Sequence, residues 1–151
     1  PVERVILASL RRSPKSACPF VTVPAFEGMQ HLVAIFNLKN PEEGLCPPRD
    51  LSELSGQSIL VKSRYTECLT RLGLDETEPA NKLSYNVWIT PRMLFVVKRE
   101  IESVQGTDED EGARIDINTL GFAGTLAVKN QAGLAMIRKQ TPVTLLTKVA
   151  A

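Results

Sequence analysis

One run near the middle of the chain, SYNVWITPRMLFVVKRE at residues 84–100, limits the possible folds more than any other. Its first half alternates in character, so that one face of a predicted strand carries Ser84, Asn86, Trp88 and Thr90. The Pro91-Arg92 step predicts a turn, because proline fixes φ. The second half, residues 93–99, has an apolar MLFVV core and predicts a strand buried on both faces. The run therefore predicts an antiparallel hairpin.

The polar face of the first strand has two interpretations. It carries hydroxyl, amide and indole groups, which are equally suited to contact with water and to the polar floor of a binding site. The alternation alone favours simple solvent exposure and leaves the binding site open as an alternative.

The clearest helix follows Asp50, which together with Glu53 resembles a capping box. Gly73 stands where a left-handed C-terminal cap belongs. We expect a helix near residues 51–72 that covers one face of the sheet. Its apolar stripe is predicted to contain Leu51, Leu54, Val61, Tyr65, Cys68 and Leu72.

The other elements are shorter. CPFVTVPAF and HLVAIFNL predict two strands, and Pro24 indicates that the first is short or lies at an edge. Residues 113–117 predict a strand beside MLFVV. Residues 1–12, 131–140 and 141–150 predict helices, with Thr141-Pro142 as the cap and first position of the last one. KNPEEGLCPPR is a loop by composition, and GTDEDEG predicts a mobile, solvated loop rather than a metal site.

The bulk properties exclude several classes of protein. The 151 residues suit one domain, 1–151, which would bury about 68–70% of its unfolded surface. A net charge of +1 indicates no nucleic-acid partner. No apolar run approaches the ~18 residues of a membrane span. Three widely spaced cysteines, Cys18, Cys46 and Cys68, suggest reduced thiols and a cytoplasmic location.

Catalytic signatures are scarce. The single histidine, His31, lies alone in a strand pattern, and this favours a structural role satisfied by a backbone or side-chain partner. No G-x-S-x-G motif is present, and Gly121-Phe122-Ala123-Gly124 lacks the ending of a phosphate-binding loop. By composition those glycines suit a tight turn or close packing. No metal-ligand cluster is visible.

Three motifs carry a family resemblance: SYNVWIT, MLFVVKR and INTLGFAGTLAVKN. They resemble the C-terminal part of the ATP adenylyltransferase (diadenosine tetraphosphate phosphorylase) family, whose usual forms are close to SYN-L-L-T, WMLVVPR and IN-LGFAGSLLVKN. Arg92 stands where the family has tryptophan. Pro1-Val2-Glu3 is similar to a P-x-E segment that, in the family, follows the catalytic H-x-H-x-Q motif. That catalytic motif does not occur in these 151 residues.

The resemblance implies an α+β fold, an antiparallel sheet flanked by helices, like that of the histidine-triad nucleotidyltransferases. It implies a C-terminal half whose catalytic histidine lies upstream, so this chain alone is expected to be inactive. The implied partners are diadenosine tetraphosphate, ATP, ADP, phosphate and the upstream half of the same enzyme. No cofactor is implied, and a divalent metal accompanying the nucleotide stays open.

The resemblance also raises particular residues to site candidates. Asn86 and Thr90 come first as polar contacts to a nucleotide, followed by Ser84, Lys98 and Lys129. Lys98 stands where the family has arginine. Its ammonium group is a point charge and cannot donate the two parallel hydrogen bonds of a guanidinium. The weaker candidates are Asn118, Gly121 and Gly124.

Two other functions remain alternatives. The chain could be a non-catalytic nucleotide-binding module, or a dimerisation or scaffold domain whose polar strand face meets another chain.

Overall fold

Two strands form the antiparallel hairpin that the sequence predicts. The computed structural model describes residues 2–12, 18–74, 85–106, 112–122 and 125–150. Strand β3 (Tyr85–Ile89) pairs antiparallel with β4 (Met93–Lys98) across the Pro91-Arg92 turn. Residues 93–97 are all buried, so the prediction of a strand covered on both faces is confirmed.

Two further strands complete a four-stranded antiparallel sheet of order β1-β2-β4-β3. Strand β2 (His31–Ile35) lies beside β4 and is buried throughout, because both central strands have core on each side. Strand β1 (Phe20–Val21) has two residues and lies at an edge. A 3₁₀ turn at Pro24–Phe26 follows it, which confirms the prediction drawn from Pro24.

Helix α2 (Leu51–Arg71) covers one face of the sheet. The Asp50 side chain caps it by accepting from the Glu53 N–H at 2.9 Å. Glu53 accepts from the Arg49 N–H rather than from the Asp50 N–H, so the capping box is only half formed. Gly73, at φ +65°, ends the helix, and the Leu74 N–H reaches the Leu69 carbonyl at 2.9 Å. The Gly73 N–H also donates to the Thr70 carbonyl at 3.1 Å, and these two bonds form the Schellman motif, which confirms the left-handed cap predicted at Gly73.

The predicted apolar stripe of α2 is buried only in its second half. Cys68 is 0% exposed, whereas Leu51 is 83% and Leu54 is 47% exposed. A helix of 21 residues is about 31 Å long, while strands of five or six residues span about 17–20 Å. The first turns therefore extend past the core, and the apolar stripe that the sequence predicts is exposed at Leu51 and Leu54.

The opposite face of the sheet is covered by elements from both ends of the chain. They are α1 (Val2–Arg12), α3 (Thr119–Phe122), α4 (Gln131–Lys139), α5 (Pro142–Val149) and a ribbon of β5 (Ser103–Gln105) with β6 (Arg114–Asp116). The helices predicted at residues 1–12, 131–140 and 141–150 are thus confirmed. The Thr141 hydroxyl caps α5 by accepting from the Thr144 N–H.

The predicted partner of the strand near residues 113–117 is wrong. Strand β6 pairs with β5 in a separate sheet and does not lie beside β4. Both edges of β4 are already occupied by β2 and β3, so no place remains there. The predicted loop GTDEDEG falls largely on residues 107–111, which lie outside the described residues. None of the helices described is long and apolar enough to cross a bilayer.

The loop at residues 39–49 is pressed against the hairpin turn. The Leu45 N–H donates to the Pro91 carbonyl at 2.6 Å, and the Phe36 N–H donates to the Arg92 carbonyl at 3.1 Å. Gly44 lies at φ +67°, and a Cβ there would be 2.5 Å from the Pro91 oxygen. Only glycine tolerates both that conformation and that approach.

Substituting this glycine should destabilise the protein selectively. We expect Gly44→Ala to lower the free energy of unfolding by at least about 2 kcal/mol, since left-handed strain adds to a backbone overlap. Gly56→Ala is the matched control, because Gly56 is inside α2 with nothing within 4 Å of its Cβ position. That change should raise the free energy of unfolding by about 0.5–1 kcal/mol. Urea unfolding measures the free energy of unfolding of both variants. Equal values for Gly44→Ala and Gly56→Ala would contradict the close approach of Gly44 to the Pro91 carbonyl.

Candidate functional site

The β3–β4 register decides which candidate side chains share a face. Asn86 lies opposite Val97 and Trp88 opposite Phe95, and directly opposed residues of an antiparallel pair point to the same side. Val97 and Phe95 belong to the core beneath α1 and α3–α5. The face of β3 that carries Asn86 and Trp88, here named the Asn86 face, therefore lies on the side of the sheet away from α2.

This face does not simply meet water. Asn86 is 7% exposed, and Trp88 is half-buried and packs against the same core. Helix α3 lies beside β3 on the chain's return from β6. A buried amide on a mostly apolar surface is costly unless it forms hydrogen bonds, so the surroundings of Asn86 restrict the placement of its side chain.

The Thr90 hydroxyl lies at the end of this face and is fully engaged. Its Oγ1 accepts from the Arg92 N–H at 3.2 Å and from the Met93 N–H at 3.3 Å. Its O–H donates to Glu3 Oε1 at 3.2 Å, and that oxygen also accepts from Arg92 Nη1 at 3.2 Å. Arg92 Nε donates to the Glu42 carbonyl as well. These hydrogen bonds connect α1 to the hairpin turn, and Arg92 forms one of them.

The two candidate lysines lie apart from Asn86. Lys98 lies opposite Tyr85, and this pair points toward the α2 side of the sheet. Lys129 Nζ forms an ion pair with Asp116 Oδ2 at 2.7 Å, and Arg114 contacts the other oxygen of that carboxylate. Lys129 and Arg114 hold the pKa of the Asp116 carboxyl below its ordinary value.

Of the candidate glycines Gly121 and Gly124, the structure describes Gly121. It is buried in α3, and a Cβ there would lie 3.0 Å from Ile117 Cγ2 and 3.2 Å from Leu126 Cδ2. Its N–H lies 3.4 Å from Asn118 Oδ1. Close packing therefore accounts for this glycine. Ser84 and Gly124 lie outside the described residues.

A groove of about 650 Å³ lies on the other side of β3. Its lining includes Leu54, Val61, Val87 and Ile89, with Lys62 as the one charged member of the lining. The lining also includes Gln57, Ser58 and Tyr65, whose polar side chains form hydrogen bonds within the protein. A lining that is mostly apolar suits an apolar ligand better than a phosphate. The Asn86 face and this groove are separated by the sheet.

His31 has the structural role that its isolation in the sequence indicates. Its Nε2 accepts from the Val23 N–H at 2.8 Å, and its Nδ1 lies 2.9 Å from the Met29 carbonyl. The ring is therefore neutral, with the proton on Nδ1. Burial lowers the pKa of His31 below its ordinary value of 6.5, partly offset by the Met29 hydrogen bond.

The three cysteines differ in exposure, since Cys46 is exposed, Cys18 is partly exposed and Cys68 is buried. Cys18, Cys46 and Cys68 are all free thiols. Burial raises the pKa of Cys68 to about 12, with Glu67 adding to the shift, so this thiol stays protonated. In the part of the chain that the structure describes, no three His, Cys, Asp or Glu side chains cluster as a metal site would require.

Sequence reasoning missed Glu3 as the partner of Thr90. The two residues are 87 positions apart, and no periodicity or local motif connects them. The P-x-E resemblance drew attention to Glu3 without indicating what it contacts.

A comparison with protein families decides the class of the chain. The family model described as the ATP adenylyltransferase C-terminal domain matches residues 30–151. The chain belongs to this family. The match includes β2, the β3–β4 hairpin and the LGFAG segment of the adenylyltransferase domain, and leaves out α1 and β1. No curated protein and no solved structure matches the chain.

His31 should give the adenylyltransferase domain a pH-dependent stability. The unfolded chain binds a proton near pH 6.5, whereas the folded chain does so only at lower pH. The free energy of unfolding should therefore fall as the pH drops below about 6.5 and level off below the folded pKa. In His31→Gln the free energy of unfolding should lack this part of its dependence on pH.

Urea unfolding at about pH 8 and about pH 5 measures this effect, and His31 is the sole histidine titrating in that window. If the free energy of unfolding changed equally with pH in the native protein and in His31→Gln, the conclusion that the His31 ring is buried and neutral would be wrong.

Proposed function

We propose that this chain is the C-terminal domain of a cytoplasmic enzyme that phosphorolyses diadenosine tetraphosphate to ADP and ATP. The observation that carries the proposal is the family match over residues 30–151, which makes the chain part of a nucleotidyltransferase. The SYNVWIT, MLFVVKR and LGFAG motifs support the proposal, because they resemble those of the ATP adenylyltransferase (diadenosine tetraphosphate phosphorylase) family.

The nucleotide is proposed to bind on the Asn86 face of β3. An amide can both donate and accept, and it does so more strongly in a partly buried site than in water. Trp88, two residues further on the same face, offers an aromatic surface beside it. Ser84 precedes them on the same strand pattern. Lys98 and Lys129 are weaker members of the proposal, because one points to the α2 side and the other is paired with Asp116.

The nucleophile is proposed to come from a segment upstream of Pro1. His31 is the sole histidine of the chain, and both of its ring nitrogens are held by backbone groups. An upstream imidazole would attack the α-phosphorus, form a phosphorus–nitrogen bond and release ATP. Inorganic phosphate would then displace AMP from that histidine and give ADP.

Nucleotide binding can be followed with Trp88, the single tryptophan of the chain. Titration with AMP or ADP should change the indole fluorescence saturably in the native protein. Asn86→Ala should raise Kd about five- to thirtyfold, the range expected for one lost hydrogen bond in a partly buried site. Ile89→Ala is the matched control, since Ile89 lies on the same strand, points to the other side and is 52% exposed.

The outcomes of this titration are distinct. Equal affinity of folded Asn86→Ala and Ile89→Ala would remove Asn86 from the site. No saturable change in the native protein, with equilibrium dialysis also negative, would leave a dimerisation or scaffold domain as the better assignment.

Turnover separates an enzyme domain from a binding module. The 151-residue chain alone should not consume diadenosine tetraphosphate, because its histidine is committed to the backbone. A chain extended upstream through an H-x-H-x-Q motif should consume it only when phosphate is present. Turnover by the short chain, or phosphate-independent turnover by the long one, would contradict the proposed reaction.

A further inference from the structure

We infer that Glu3 and Thr90 are positioning residues, which hold the first turn of α1 at the end of the Asn86–Trp88 face. The inference rests on the proposed function for its effect on nucleotide affinity, and on contacts alone for its effect on α1. It changes the role of Thr90 from a nucleotide contact to a support for the surface that the nucleotide uses.

The hydroxyl of Thr90 has no capacity left for a ligand. A hydroxyl has one proton and two lone pairs. The proton is donated to Glu3, and the two lone pairs accept the Arg92 and Met93 N–H groups. A nucleotide could bind this oxygen only by displacing one of these partners.

The Glu3 carboxylate connects two segments that are far apart in sequence. One of its oxygens accepts from Thr90 and from Arg92, so it contacts both ends of the hairpin turn. The carboxylate also lies in the first turn of α1, where negative charge is stabilised by the helix dipole. Three favourable interactions therefore converge on a side chain that is 24% exposed.

The contact fixes α1 relative to the strand face. Ile6, one turn after Glu3, is fully buried in the core on the Asn86 side of the sheet. With Ile6 in the core and Glu3 on the turn, the helix is held at two points. Its first turn then lies where the face of β3 ends, beside Thr90.

The arrangement predicts that the two residues act as a pair. Thr90→Val preserves the shape of the side chain but removes the donor and both acceptors. Thr90→Ser keeps all three hydrogen bonds. Glu3→Ala removes the carboxylate, whereas Glu3→Gln keeps an oxygen that can accept from Thr90. Arg4→Ala is the matched control, because Arg4 is an exposed residue of the same turn.

The test combines amide hydrogen exchange of α1 with the AMP titration by Trp88 fluorescence, both on the complete 151-residue chain. Thr90→Val and Glu3→Ala should each speed exchange in α1 and raise Kd for AMP by about five- to tenfold. Thr90→Ser and Arg4→Ala should match the native protein, and Glu3→Gln should lie between. The double variant Glu3→Ala/Thr90→Val should lose less than the sum of the two single variants, because the Thr90–Glu3 hydrogen bond is removed in both.

Each contrary result has a different meaning. Unchanged exchange in both Thr90→Val and Glu3→Ala would overturn the positioning of α1. Faster exchange with unchanged Kd would overturn its influence on the nucleotide, leaving a purely structural contact. Additive losses in the double variant would overturn the pairing. Absence of AMP binding by the native protein would remove the proposed function, while the exchange measurement, which needs no ligand, would still decide the positioning.

Discussion

The pairing register of β3 with β4 is the constraint on which the rest of the structure depends. It places Asn86 and Trp88 with Val97 and Phe95 on one side, and Tyr85 with Lys98 on the other. A slip of one residue would exchange the two sides completely. Because β4 is buried on both faces and paired on both edges, such a slip would disrupt two cores at once. The position of the proposed nucleotide face is therefore set by the packing of the whole domain.

The turn of this hairpin is held by contacts from distant parts of the chain. Leu45 of the loop at residues 39–49 donates to the Pro91 carbonyl, and Glu3 accepts from the side chains of Thr90 and Arg92. Each contact depends on one chemical property: the close approach on the absence of a Cβ at Gly44, the three hydrogen bonds on the hydroxyl of Thr90, and the link between Glu3 and Glu42 on the guanidinium of Arg92. This convergence explains how an arginine can occupy a turn where the resembled family has tryptophan.

Much of the fold could be predicted from the sequence wherever a local pattern determines the structure. The hairpin, the Asp50 and Gly73 ends of α2 and the Thr141 cap follow from alternation, capping and φ preferences. The errors concern relations between distant residues. The exposure of Leu51 depends on how far α2 extends past the sheet, and the partner of β6 depends on the neighbours that β4 already has. The alternation predicted that Asn86 lies on the first strand of the hairpin, whereas its burial and its separation from Lys98 could be read only from the three-dimensional register.

The nucleotide is proposed to bind to the Asn86–Trp88 face, on the side of the sheet away from α2. A crystal structure of the chain soaked with AMP would decide between the two sides of the sheet. We expect electron density for the nucleotide beside Asn86 and Trp88, with the Thr90–Glu3 contact intact. Density in the groove between α2 and β3, near Lys62, Val87 and Ile89, would contradict it and transfer the site to the opposite side of the sheet.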